Sequence, residues 1–94
     1  MSPTLRQPMS RVKRLEPAGR KLAELRYLAG LTQQQAAEAC GVKVQFISQI
    51  ETGRERLPGR AWAPLAKVYD VPSKRLGMLL LRFYEPEMHK ALFG

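Results

Sequence analysis

Residues 32–53 read Thr-Gln-Gln-Gln-Ala-Ala-Glu-Ala-Cys-Gly-Val-Lys-Val-Gln-Phe-Ile-Ser-Gln-Ile-Glu-Thr-Gly. Gln33 to Cys40 form a helix with a small-residue face that runs into Gly41. A second helix, Val44 to Thr52, follows almost without a linker and stops at Gly53. Ala37, Val42, Ile47 and Ile50 can meet only if the two helices cross steeply around the glycine.

A steep crossing at a short turn is the helix-turn-helix arrangement, whose second helix enters a DNA major groove. The bounds of the chain agree with it. Ninety-four residues make one small domain with little room for a catalytic cleft or a second module. A formal charge of +8 and a sequence pI near 10.3 favour polyanions as partners, the alternative being a merely solvated basic surface. The single cysteine excludes an internal disulfide and a multi-cysteine metal site. No apolar run approaches the ~20 residues of a membrane span. The start, with Pro3, Arg6, Pro8 and Arg11, lacks an apolar signal core. A cytoplasmic protein of bacterial or phage origin is the expectation.

Outward from the central stretch, residues 1–16 read as a flexible basic arm. Pro3 and Pro8 break helices there, and Arg6, Arg11, Lys13 and Arg14 outnumber Glu16. Helix 1 is expected from Pro17, since proline suits a first helical position, to Ala29, with Leu22, Leu25 and Ala29 turned inward and Gly30 closing it. Thr32 can accept a bond from a free amide at the start of the next helix. Ala36, Ala37 and Cys40 form the thin inner face of that helix. The loop from Gly53 to Arg60 carries Arg54, Arg56 and Arg60. Helix 4 should reach about Tyr69, with Pro64 in its first turn or at its start and an apolar face of Trp62, Leu65, Ala66 and Tyr69. Ser73 is expected to cap helix 5, Lys74 to Tyr84, and Pro86 to open a last helix through Leu92. Nothing reads as strand. The expected fold is all-α, with a domain at 17–84 and a short helical extension at 85–94.

Leu22, Leu25, Arg26, Gly30, Leu31, Thr32, Gln33, Ala37, Gly41, Val42, Ile47, Ser48, Ile50, Glu51 and Gly53, with Leu65, Ala66 and Val71 beyond them, resemble the Cro and lambda-repressor-like helix-turn-helix family, often called the Xre family. The likeness runs from residue 18 to about 81. It implies a five-helix fold and transcriptional regulation by operator binding. By position, the resemblance puts base reading on Val44, Gln45 and Gln49. Their chemistry suits the role: glutamine bonds adenine N6 and N7 together, and an apolar tip meets a thymine methyl. The other reading is ordinary helix surface. Gln33 matches a phosphate-gripping place at a helix start, where free amides and the helix dipole favour an anion.

Lys43 departs from the family's small hydroxyl cap; it cannot cap, but it reaches toward phosphate or a base edge. Phe46 departs as well, and either covers the thin alanine face, which is favoured because large rings find burial, or touches DNA sugars and thymine methyls. Arg26 and Glu51 match an ion pair that orients the reading helix. Ser48 joins the DNA-backbone set, as do Arg54, Arg56 and Arg60, which match a loop following the phosphates. Backbone contacts supply affinity and not sequence choice.

Leu76, Leu79, Leu80, Phe83, Tyr84, Met88, Leu92 and Phe93 exceed what a five-helix monomer needs to bury. A homodimer through Leu76, Leu80, Phe83, Tyr84, Met88 and Leu92 is expected; the alternative folds the tail back onto helices 1 and 5. Cys40 reads as a core residue. His89 has no partner constellation, and no catalytic set, metal spacing or cofactor loop stands in the sequence, so neither enzyme activity nor a cofactor is expected. The leading expectation is a dimeric repressor or autoregulator of a palindromic double-stranded operator, open to control by a protein partner. An antitoxin or protein-interaction adaptor built on the same fold is the alternative.

Overall fold

The computed structural model describes residues 15–94, and the regular structure of those residues is entirely helical. Among the described residues six helices follow one another: α1 (Leu15–Leu28), α2 (Gln33–Cys40), α3 (Val44–Glu51), α4 (Gly59–Val68), α5 (Ser73–Tyr84) and α6 (Pro86–Phe93). The arm residues Arg6, Arg11, Lys13 and Arg14 lie outside the described residues. Among the described residues no helix is long and apolar enough to cross a membrane.

Local chemistry sets the ends of α2. The Thr32 hydroxyl accepts the Gln35 amide at 3.1 Å, and the Gln35 side chain accepts the Thr32 amide at 2.8 Å. This reciprocal cap satisfies two amides left without helical partners and is worth about 1 kcal/mol. At the other end Gly41 takes φ 69°, a left-handed value that a side chain resists. The Val42 amide then returns to the Ala37 carbonyl at 3.0 Å and aims the chain into α3. Lys43 stands at the N-cap of α3 and makes no side-chain cap, as its chemistry requires.

Three helix starts differ from expectation. α1 begins at Leu15, not Pro17, because Leu15 is buried in the core and a first helical turn tolerates an internal proline. Leu15 and Glu16 thus belong to a helix and not to the arm. α4 begins at Gly59 behind Pro58, so Pro64 lies inside the helix, beyond its first turn. Arg60, whose carbonyl loses a helical amide to that proline, is exposed. α5 begins at Ser73 itself, with Pro72 at the N-cap and no side-chain cap.

The core gathers Leu22 of α1, Ala36, Ala37 and Cys40 of α2, Ile47 and Ile50 of α3, Leu65 and Ala66 of α4, and Leu76, Leu80 and Tyr84 of α5. The alanine face of α2 lies against both α3 and α4. Phe46 is half-buried against this core, the packing arrangement anticipated for it. α5 packs against α1 and α4, and this contact corrects the expected dimer surface. Leu76, Leu80 and Tyr84 are only 1%, 0% and 2% exposed. They seal the monomer's own core and are not presented to a second copy. Phe83 is half-buried, whereas Met88 and Leu92 of α6 are exposed. α6 packs against α5 and buries none of its residues.

Candidate nucleic-acid interface

The α3 helix has two unlike sides. Ile47 and Ile50 are buried, and Val44 and Phe46 pack half-buried beside them. Gln45 and Gln49 are exposed, and their four-residue spacing stacks them on one face. Burying each isoleucine contributes roughly 1.5–3 kcal/mol, so the same contacts that anchor the helix fix the direction in which the glutamines project. Ser48 is half-buried, and its carbonyl accepts both the Thr52 amide and hydroxyl at 3.0 Å. Lys43, at the start of α3, is exposed.

Beneath the C-terminal end of α3 lies a seam with α1 that depends on two glycines. A Cβ on Gly19 would stand 2.5 Å from the carbonyl oxygens of Ile50 and Glu51, so only glycine lets α1 approach this closely. Gly53, at φ 83°, lies against the Glu16 backbone, 2.9 Å from where its Cβ would be.

A polar knot closes the same seam. Arg26 Nε donates to Glu51 Oε2 at 2.7 Å, Arg26 Nη2 to Glu51 Oε1 at 3.1 Å, and Arg26 Nη1 to the Leu31 carbonyl at 2.9 Å. Gln33 Nε2 donates to Glu51 Oε1 at 2.9 Å. Glu51 thereby ties the end of α3 to α1 and to the first residue of α2. The hydrogen bond and charge of Glu51 raise the Arg26 pKa further above its usual value, against the opposing effect of burial. Burial, reinforced by the negative charge of Glu51, also raises the Tyr69 pKa, which keeps that phenol neutral.

Arg54, Arg56 and Arg60 are all exposed, but they differ in what holds them. The Arg54 amide returns to the Gln49 carbonyl at 2.8 Å, which leaves its side chain at the end of α3. Arg56 Nη2 donates to Glu85 Oε2 at 2.7 Å, and its guanidinium lies 4.9 Å from the centre of the Tyr84 ring. Arg60 belongs to α4. The next residue in the loop, Leu57, is gripped on both sides. Its amide donates to the Tyr84 hydroxyl at 2.9 Å, and its carbonyl accepts from Trp62 Nε1 at 2.8 Å. Burial pushes the Tyr84 phenol up in pKa, so it stays protonated.

The sequence reading set Val44, Gln45, Ser48 and Gln49 off the core face of α3; Gln45 and Gln49 are exposed, whereas Ser48 is half-buried and Val44 packs half-buried against the core. That reading missed the Gln33–Glu51 bond, the tie between Arg56 and Glu85, and the roles of Gly19, Trp62 and Tyr84. A glycine inside a helix was the available signal for Gly19, since it sacrifices about 1 kcal/mol relative to alanine and asks for a packing reason. The Leu57 clamp joins residues 27 positions apart in sequence and leaves no local signal.

The sequence pattern of the helix-turn-helix domain family matches residues 18–76. The match runs from α1 into α5, encloses both helices of the motif, and covers more than half of the 94 residues. None of the curated proteins compared with the chain matches it. The geometry agrees with the match: two short helices pack across a glycine turn, and the second turns polar side chains outward over a buried anchor. The chain belongs to the helix-turn-helix domain family.

Proposed function

We propose that the protein is a sequence-specific, double-stranded DNA-binding regulator of transcription, acting as a dimeric repressor or autoregulator of a palindromic operator. One observation carries the reading: Gln45 and Gln49 are exposed on one face of a helix whose other face and end are locked into the core. A rigid helix bearing two adaptable amides is suited to reading adenine edges in a major groove. Val44, half-buried at the start of α3, supplies an apolar tip for a thymine methyl. Lys43, Ser48, Arg54, Arg56, Arg60 and the start of α2 at Gln33 serve the phosphate backbone, which sets affinity without choosing sequence. The net charge of +8 supports the same partner.

The second copy of the proposed dimer docks at α6, a reading supported by exposed Met88 and Leu92 beside half-buried Phe83. Two-fold symmetry then sets half-site centres about 10–10.5 bp apart, or a multiple of that. Selection from a random duplex library tests the reading. Enrichment of an inverted repeat supports it, and enrichment of no sequence, or of unpaired RNA alone, refutes it. The exposed apolar side chains of α6, Met88, Leu92 and Phe93, favour one other reading, an antitoxin or adaptor that holds a different protein there. A complex isolated from cells with that helix bound to a second protein, and monomeric on DNA, would support that reading over the dimeric one.

A further inference from the structure

Arg56 and Glu85 form an ion pair between the loop that follows α3 and the corner between α5 and α6. The contact is 2.7 Å, and the two side chains are 44% and 45% exposed. Glu85 lies beyond residues 18–76, the part of the chain that matches the family. Its side chain caps no amide of α6; its visible task in the fold is to hold Arg56.

The loop on which Arg56 sits is fixed at its root. The neighbouring Leu57 is buried and held through both its amide and its carbonyl, so the freedom left to Arg56 is in its side chain. That side chain rests on the Tyr84 ring, a platform that a guanidinium keeps whichever anion it faces. An exposed carboxylate partner in water is weakly held. A phosphate presents the guanidinium fork with oxygens of the same geometry and stronger charge.

We propose that Glu85 is an internal stand-in for a DNA phosphate: it holds Arg56 on the Tyr84 ring in the free protein and yields it to the duplex backbone on binding. The inference rests on the DNA-binding reading above. It makes Glu85 a brake on affinity that acts alike on every DNA sequence, because phosphate contacts carry no base information.

The test is a double-mutant cycle on the full chain, with duplex affinity measured at one moderate salt concentration for the wild type, Glu85→Gln, Arg56→Gln and the double variant. Retained helical circular dichroism checks that each is folded. Glu85→Gln should bind every duplex roughly two- to fivefold more tightly, the scale of an exposed ion pair, without changing the ranking of sequences. Arg56→Gln should bind more weakly than wild type, and in its background the gain from Glu85→Gln should disappear. Equal affinity of Glu85→Gln and wild type would overturn the brake. So would a gain that persists undiminished in the Arg56→Gln background, which marks a general loss of negative charge. A folded wild type that binds no duplex at all refutes the DNA-binding reading itself, whereas a binding wild type with no gain in Glu85→Gln refutes only the brake.

Discussion

Two arginine–glutamate pairs in this molecule share a closest contact of 2.7 Å, yet their surroundings are opposite. Arg26 and Glu51 have side chains each 7% exposed, at the seam between α1 and α3, while Arg56 and Glu85 lie nearly half in solvent where the loop after α3 meets the corner between α5 and α6. Distance is therefore no guide to what each pair contributes. At the buried pair, water cannot replace a missing partner, so removing one side strands a charge. At the exposed pair water and salt substitute freely. The buried pair is suited to holding α3 at a fixed angle, and the exposed one to exchanging partners.

The largest expected effect breaks the buried pair. Glu51→Ala strips the Arg26 guanidinium of its carboxylate, leaving it only the Leu31 carbonyl, and removes the acceptor of the Gln33 amide; it should destabilise the protein by about 3–5 kcal/mol. Urea denaturation measures it; a loss below 1 kcal/mol would place the pair on a par with a surface contact. Gly19→Ala attacks the same seam sterically. Its Cβ would meet backbone oxygens of Ile50 and Glu51 at 2.5 Å, and backbone yields less readily than a side-chain tip. A loss of roughly 1–3 kcal/mol is expected, together with weaker DNA binding as α3 shifts.

At the corner between α5 and α6 the effects should be no larger than at the seam and of a different kind. Tyr84→Phe deprives the Leu57 amide of its acceptor and should cost about 1–3 kcal/mol. It should also change the response to alkali. Burial raises the pKa of Tyr69 and Tyr84 above the usual 10.0, so the folded state keeps protons that the unfolded chain releases. The stability tied to these neutral phenols is complete below pH 10 and is lost as pH rises through their folded values. Tyr84→Phe should blunt that alkaline loss, and an unchanged profile between neutral pH and pH 11 would show that Tyr84 does not contribute to it. Glu85→Ala should change stability least, by about 0–1 kcal/mol. A larger loss would mean that the corner holds the fold together as the seam does.

The same contrast explains what could be read in the sequence. The limits of α2, Gln33 and Cys40, were legible because Thr32 and Gly41 act on their immediate neighbours. The Arg26–Glu51 pair was legible through family resemblance, not through spacing. The stripe of Leu76, Leu80 and Tyr84 was legible as a stripe, but a helical period says only that a face is covered. Whether α1 and α4 or a second copy supplies the cover is a tertiary fact. Pro64 misled for a related reason: its place in α4 is decided by where Leu57 and Pro58 are anchored, and Leu57 is anchored by Tyr84 and Trp62. Ties that span the chain fix the loop and the C-terminal corner, whereas neighbouring residues fix the turn between α2 and α3.

The central claim is that the solvent face of α3 chooses the DNA sequence while the buried seam only holds that helix in place. Competitive binding to the selected operator and to each of its single-base-pair variants tests this, with the wild type compared with Gln45→Ala and Gln49→Ala. Both positions are exposed, so both variants should keep their stability to within about 0.5 kcal/mol. Each should lose about 1–3 kcal/mol of discrimination at the base pair it reads, with the remaining positions ranked as before. Variants that fold normally and preserve every operator preference of the wild type would contradict the claim.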